Sequence, residues 1–374
     1  MVSMNHVEKK LDFGRRAVPL AAELLEGQHK YELTEAEISR IFTRSIYQDV
    51  IHSAAFQRLK KIHFLGSLDY VIDPAGPKPN KRYTRFQHSL GVARLALQFA
   101  RDRQLEEKDE TIAVVSALLH DVGHAPLSHS LESVFKTEFG IGHHVISEKI
   151  VRGDVPIGAS LNKVLRSSNV NPFEVLATMS GKGSGHLREL FNHAINSDTI
   201  EAIIRSSTYL YPQQLFQPPS DVLLALLTPS ESSSSTLDSF WRLKDHVYNN
   251  LINSGTGLLA DYVCQEYMRR HIQHFEEDHY YLTEPDLRDR HPQLFATLER
   301  LSVGAVLDLV PGSSEIKFVR RRFTIKTEVA FDHIFAVDQR YTQSRNEETY
   351  QLSRVGTGEL DDQSARVKGS KGLF

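Results

Sequence analysis

The stretch LLHDVGHAPLSHS, residues 118–130, sets titratable groups directly against the end of an apolar run, TIAVVSALL. His120 and Asp121 are neighbours, and His124 and His129 follow. Ionisable groups beside a core are costly unless each finds a partner. Two other helical stretches offer polar groups of the same kind on apolar faces. His88 falls one turn inside a helix start, and Asp198 falls three and four residues after Ile195 and Ala194, on their side of a helix. Two imidazoles and two carboxylates, with no thiolate, suit a borderline or hard divalent ion such as Mn, Fe, Zn, Ni or Mg. Four protein ligands leave positions open on a six-coordinate ion, where bound water becomes hydroxide near neutral pH. A metal held by His88, His120, Asp121 and Asp198 is therefore the expected partner. Each residue alone has a plainer reading: His88 as a core histidine, the HD dipeptide as chance, Asp198 with Glu201 as a helix cap. Their order and combination favour the metal.

The elements that must position these groups are helices. Thr34 and Glu37 are spaced as a capping box before TEAEISRIF, and Thr84 and Gln87 repeat that signal before RFQHSLGVARLALQFA. DVIHSAAFQRLKKI carries apolar residues at helical spacing, and the helix ending at LLHD stops near Gly123 and Pro126. Further helices are predicted at SHSLESVFKTEF, HHVISEKIV, ELFNHAINSDTIEAIIRSS, SFWRLKDHVYNNLIN and GLLADYVCQEYMRRHI. DPAGPKPNKRY reads as an exposed loop or hairpin. The Ser-rich TPSESSSST, residues 228–236, is the best candidate for a boundary or mobile loop. From Ile316 to Val337 β-branched and aromatic residues predict strands. The expected fold is mostly α, a helical bundle with a mixed α/β C-terminal appendage. Its expected parts are an N-terminal segment 1–45, a catalytic domain 46–228, a helix/strand region 237–355 and a disordered tail 356–374.

Composition narrows the function. A formal net charge of −3 gives no global basic field, so no nucleic-acid partner is expected. The basic run KFVRRR, residues 317–322, reads as one face of an exposed strand. The single cysteine, Cys264, excludes an internal disulfide. No apolar run approaches the ~20 residues of a membrane span, and the N-terminus lacks an apolar signal segment. A cytoplasmic protein is expected. Among the 18 histidines, His271, His274 and His279 read as surface residues rather than a second ligand set.

The ordered pattern H…HD…D resembles the HD superfamily of metal-dependent phosphohydrolases. FQRLKKIHFLG at 56–66, RFQHSLGVARLA and HDVGHAPLSH bring the resemblance closest to the deoxynucleoside triphosphate triphosphohydrolase branch. It runs from about Asp49 to Ser207 and fades in the C-terminal third. It implies an HD-domain helical bundle with His88, His120, Asp121 and Asp198 as ligands of one divalent ion. Arg85 then grips phosphate, as a guanidinium fork suits. His124 helps position the attacking water, Glu132 pairs with that histidine, and His143 donates a proton to the leaving oxygen. His129 reads as structural, in the turn after Pro126. The branch also implies a homo-oligomer, dimer or tetramer.

The departures bear on substrate. Phe64 stands where the branch has a glutamine that reads the sugar, and Ala202 and Ser206 replace a tyrosine and an aspartate of the sugar pocket. A site that loses such hydrogen-bonding groups loses discrimination. The expectation is a nucleotide phosphohydrolase with altered sugar-reading positions. A phosphomonoesterase or cyclic-nucleotide phosphodiesterase of the same superfamily is an alternative, but His124 stands in place of the lysine of HDxGK and no GYP follows. A non-catalytic nucleotide sensor is the third reading; the presence of His124 and His143 counts against it.

Overall fold

The computed structural model describes residues 33–71, 82–211, 216–301, 303–310 and 315–352. The expected loop DPAGPKPNKRY lies largely outside the described residues, as do the tail 356–374 and most of the N-terminal segment. The chain divides into a unit Met1–Ile41 and a unit Phe42–Phe374. In the first, helix Glu35–Ile41 begins with the predicted box: the Thr34 N–H donates to Glu37 Oε2 at 2.8 Å, and the Glu37 N–H donates back to Thr34 Oγ at 3.3 Å.

Among its described residues the second unit is mostly helical and carries one two-stranded sheet. The expected helix over DVIHSAAFQRLKKI is two, Ser45–His52 and Ala54–Arg58, because Ser53 turns its side chain back to cap the second. At the centre, α1 (Arg85–Asp102) packs along α2 (Glu107–Leu119). Every residue of α2 from Thr111 to Leu119 is buried, as befits a helix apolar on all sides. α3 (Glu132–Phe139) ends at Gly140 in the left-handed region, and α4 (His143–Arg152) follows. α5 (Ser197–Leu210) packs on α1 and begins at Ser197, later than predicted, under a box made by Asn196 and Thr199.

Beyond it run α6 (Pro219–Leu227), α7 (Glu231–Val247), α8 (Gly255–Arg270), α9 (Glu284–Arg290) and α10 (Pro292–Glu299). Only the first three residues of the Ser-rich stretch, 228–230, form a connection; from Glu231 it is helix. Ser230 caps α7, its side chain accepting the Ser233 N–H at 3.1 Å, and α7 packs on α5 and α6. Hydroxyls of Ser234 and Ser239 bond back to Glu231 and Ser235 carbonyls, so serine joins the helix rather than breaking it.

β1 (Glu315–Ile325) pairs antiparallel with β2 (Tyr341–Gln351), from Glu315 opposite Gln351 to Ile325 opposite Tyr341. The predicted strand region thus stops at Ile325, and its partner comes from the polar YTQSRNEETYQ. The hairpin is fastened to α7 by Trp241, whose ring stands 5.4 Å from Phe323 and 5.5 Å from Tyr341. Buried Arg340 adds a fork onto Asp238, at 3.0 and 2.8 Å. No described helix is long and apolar enough to cross a membrane.

Candidate active site

Four polar side chains from separate parts of the chain meet at one point. α1 brings His88, the end of α2 brings His120 and Asp121, and the first turn of α5 brings Asp198. His88 Nε2 lies 3.2 Å from His120 Nε2, 3.1 Å from Asp198 Oδ1 and 3.5 Å from Asp121 Oδ2. His120 Nε2 lies 3.4 Å from Asp121 Oδ1 and 3.7 Å from Asp198 Oδ1. Because Asn196 and Thr199 cap α5, the Asp198 carboxylate is released from capping and turns to the imidazoles. The His88 side chain is 1 % exposed and that of Asp198 41 %, so the cluster opens to solvent on the Asp198 side.

The outer nitrogens fix how the rings face. His120 Nδ1–H donates to the Ala117 carbonyl at 2.8 Å, and His88 Nδ1 bonds Glu201, itself held by Arg205. Both Nε2 atoms therefore point inward, the orientation such outer bonds impose on metal-binding histidines. Ligand atoms about 2.0–2.2 Å from one ion stand roughly 3 Å apart across a right angle. His88, His120 and Asp121 each bring a donor atom within 4.8 Å of the others, a grouping that suits a divalent ion, and Asp198 Oδ1 stands beside the two imidazoles. Their electrostatics agree. Burial opposes charge on His88, yet Glu201 and Asp198 outweigh it and lift its pKa to about 9. Asp121 is held well below the usual carboxylate range despite burial, by His120 and Arg85. The centre is built for positive charge.

Gly91 makes this geometry possible. A Cβ there would sit 2.3 Å from Glu201 Oε1, so only glycine lets α5 approach α1 closely enough for Glu201 to reach His88. Gly123 plays the same part on the other side: a Cβ would meet the His143 carbonyl at 2.2 Å. The start of α4 can then lie against the turn after Asp121, and the His124 and His143 rings stack at 4.5 Å and 10°.

Around the centre stand the other expected residues. Arg85 donates to Asp121 Oδ2 at 2.8 Å and, through Nε, to Ser128 Oγ at 2.9 Å. His124 Nε2 is 3.2 Å from Asp121 Oδ1, while its buried Nδ1 has no hydrogen-bond partner among the described residues. Burial, with Arg85 nearby, pushes the His124 pKa well down, leaving a neutral ring. Since Nε2–H faces the carboxylate, Nδ1 is an unmatched acceptor. Glu132 takes His143 Nδ1–H at 2.7 Å on one oxygen and His129 Nδ1–H at 2.9 Å on the other. Against burial, these two bonds keep its carboxyl far below its ordinary pKa.

His129 differs from the expectation. The acid's partners are His129 and His143 rather than His124, and the His129 side chain is 60 % exposed, its ring 4.6 Å from that of His124. It stands in the turn after Pro126, as expected, but beside His124 and on the Glu132 carboxylate. The signal was present as His-x-x-Glu, which puts the acid three residues ahead on the same face. The turn that presents it holds Leu127 and Ser128 at φ 60° and 50°, a region costly for leucine. Arg85 on Ser128, and Glu284 Oε1 accepting the Leu127 N–H at 3.1 Å, hold it there.

Phe64 is buried against His88, ring to ring at 4.9 Å, with the Arg85 guanidinium 5.1 Å from its ring. Ser206 is buried and Ala202 half-buried on α5. Lys244 of α7 was not foreseen. It is buried, donates to the Ala194 carbonyl at 3.2 Å, and is lowered to about 8 by burial and by Arg321. Of the three histidines read as surface residues, His274 is exposed, His271 half-buried and His279 buried.

The HD domain family matches residues 85–154, a span that holds every site residue above except Phe64, Asp198, Glu201, Ala202, Ser206 and Lys244. The uncharacterized protein YwfO of Bacillus subtilis is 29% identical over 167 residues, 43% of this chain and 36% of its own length. The uncharacterized protein MJ1154 of Methanocaldococcus jannaschii is 30% identical over 159 residues, 42% of this chain and 29% of its own length. Deoxynucleoside triphosphate triphosphohydrolase SAMHD1 of Bos taurus is 36% identical over 93 residues, 23% of this chain and 15% of its own length. The chain thus spans well under two thirds of each of these relatives. A histidine and a histidine–aspartate pair meet at one centre inside the span that matches the HD domain, and part of the chain is similar to SAMHD1.

Proposed function

We propose that this protein is a divalent-metal-dependent phosphohydrolase that cleaves a phosphate ester or anhydride of a nucleotide, like a dNTP triphosphohydrolase but with altered sugar-reading positions. The observation that carries the reading is the meeting of four donors from three helices beside an arginine and a set of histidines. His88, His120, Asp121 and Asp198 would hold the ion, which supplies a Lewis acid and a water acidified toward neutral pH. Arg85, oriented by Asp121 and Ser128, offers its remaining N–H groups to phosphoryl oxygens. Neutral His124 presents Nδ1 as a proton acceptor inside the site. His143, with Nδ1–H fixed on Glu132, is positioned to deliver a proton to the leaving oxygen, and His129 shares that carboxylate.

The reading extends to selectivity. Phe64 fills the sugar-reading position with a ring lacking hydrogen-bonding groups, so discrimination between deoxy and ribo substrates is weak. Purified protein with Mn should release phosphate, pyrophosphate or triphosphate from a mixed nucleotide panel, and the released species fixes the bond cleaved. No release from any member would refute hydrolysis. A deoxy preference of about a thousandfold, roughly 4 kcal/mol, would show that another side chain reads the sugar. The protein is further proposed to act as a cytoplasmic homo-oligomer, without nucleic acid; light scattering showing only a 42.4 kDa species would remove the oligomer.

A further inference from the structure

A second group of histidines surrounds a cavity of about 650 Å³ formed by the end of α8, the segment after it, and the α9–α10 junction. His271, His274, His279 and His291 line it with Arg290, and Glu276 is the one carboxylate in that lining. The volume falls within the range of small-molecule sites.

Two of these imidazoles are buried with unmet hydrogen-bonding atoms. His279 is 5 % exposed and His291 4 %. Arg290 lies 2.9 Å from His279 Nε2. A guanidinium can only donate, so Nε2 accepts and the proton of neutral His279 sits on Nδ1. That Nδ1–H is buried with no acceptor among the described residues. His291 Nε2 is likewise buried and has no partner among them. Unmet polar groups of this kind are costly in a dry site.

The walls hold the rings in place. Phe275 stacks on His291 at 4.1 Å and 7°, and Tyr267 stacks on His271 at 4.3 Å and 23°. His271 Nδ1–H is fixed on the Tyr267 carbonyl at 2.9 Å. Pro292 and Gln293 in the first turn of α10 also line the cavity, which turns the positive end of that helix toward it. Burial and the neighbouring His279, His271, His274 and Arg290 lower the His291 pKa to about 4. The pocket crowds donors and potential cations while offering one exposed carboxylate.

We propose that this pocket binds a small oxyanion of the phosphate class, separate from the HD centre, with Arg290, His279 and His291 as its contacts. A metal ion would need several imidazole lone pairs converging on one point, and among the described residues these histidines do not converge so; the lining instead brings a guanidinium and imidazole N–H donors to the space. An oxyanion accepts from both and lowers the cost of the crowded positive groups. The proposal does not depend on the activity assigned to the HD centre.

The test is imidazole-resolved NMR on the full chain, with inorganic phosphate as the probe and a chelator present. Phosphate should move the His279 and His291 resonances saturably and raise the His291 pKa. Arg290→Gln should weaken this binding about tenfold or more, as loss of a charge-assisted donor does. His291→Phe keeps the ring on Phe275 while removing the free nitrogen, so it serves if Arg290→Gln fails to fold; it should weaken the His279 response likewise. Pyrophosphate and a nucleoside monophosphate in parallel distinguish a free ion from the terminal phosphate of a larger molecule. Unmoved His279 and His291 resonances, or shifts that neither variant weakens, would overturn the proposal.

Discussion

Two clusters of histidines stand in one chain, and they differ in what surrounds the rings. At the HD centre, Asp121, Asp198 and Glu201 face His88 and His120, and the His88 pKa is lifted to about 9. At the α9–α10 pocket, burial and then His279, His271, His274 and Arg290 lower the His291 pKa to about 4, with no carboxylate among these leading influences. The side chain is the same, and the neighbours set opposite charge preferences. Carboxylates make histidine part of a cation site; arginine and more histidines make it part of an anion site. Counting histidines in a sequence cannot separate the two cases, because the deciding partners come from elsewhere in the chain.

The largest effect that would break this contrast lies at the HD centre. Asp121→Asn keeps the shape but removes one ligand charge and the partner of Arg85. Metal content should fall to near background, and nucleotide hydrolysis by about a thousandfold or more, since a Lewis acid supplies several kcal/mol. Metal analysis by mass spectrometry checks the first and a phosphate-release assay the second. One full equivalent of metal in a folded Asp121→Asn, His120→Ala double variant would show that the ion sits elsewhere.

At the other cluster the contrast is read from pH. An unfolded chain protonates His291 near pH 6.5, whereas the folded chain holds off until about 4. Between these values the unfolded state binds more protons, so stability is full above 6.5 and is lost as pH falls toward 4. The loss from this residue reaches about 3 kcal/mol at most. Burial drives it first, and His279, His271, His274 and Arg290 add to it; Glu276 lines the same cavity. Urea unfolding at pH 7 and pH 4.5 should show a smaller drop for His291→Phe than for the parent chain. Equal drops would mean that His291 is not the group that titrates.

Much of the first cluster was legible in the sequence, and the second was not. His88, His120 and Asp121 sit on helices whose starts and stops are written in Thr84, Gln87, Gly123 and Pro126. Asp198 was legible as a position, but the reason it is available, the Asn196–Thr199 cap, was hidden by the expectation of a longer helix. The pairing of Glu132 with His129 was overlooked although its spacing was plain. His291 escaped notice because its partners are set by the packing of α8, α9 and α10. β2 was missed for a related reason: its residues are mostly exposed, so no apolar alternation marks it.

The remaining contrast concerns how each histidine is held from behind. Glu201 holds His88 through a carboxylate, and Gly91 keeps the space open for it. Gly91→Ala, with its methyl 2.3 Å from Glu201 Oε1, should displace that carboxylate at about 1–3 kcal/mol of overpacking. Glu201→Gln removes the charge without the clash, though it also takes the carboxylate from Arg205, which keeps the Gln87 carbonyl. Both should weaken metal binding about 10–100-fold, the usual cost of losing such an outer partner. Competition against a chelator of known affinity measures this, and a thermal melt separates it from unfolding. Unchanged metal affinity in both variants would mean that Glu201 merely packs.

The smallest effect is expected where an aromatic ring is the support. Phe64 touches His88 edge-on to tilted, at 44°, and carries the Arg85 guanidinium over its ring at 5.1 Å. Phe64→Leu fills most of the same apolar space but has no ring face for the cation. Ring and cation contacts of this kind are worth about 0.5–1.5 kcal/mol beyond burial. The change should therefore lower kcat/KM about three- to tenfold and leave metal content untouched, because no ligand atom moves. Since leucine also lacks hydrogen-bonding groups, the deoxy-to-ribo ratio should stay where phenylalanine leaves it. Phe64→Gln is the sharper partner experiment: it returns a hydrogen-bonding side chain to that position and should raise the deoxy-to-ribo ratio if the position faces the sugar. A ratio that neither substitution moves would assign Phe64 to packing behind His88 and Arg85, with the sugar read elsewhere.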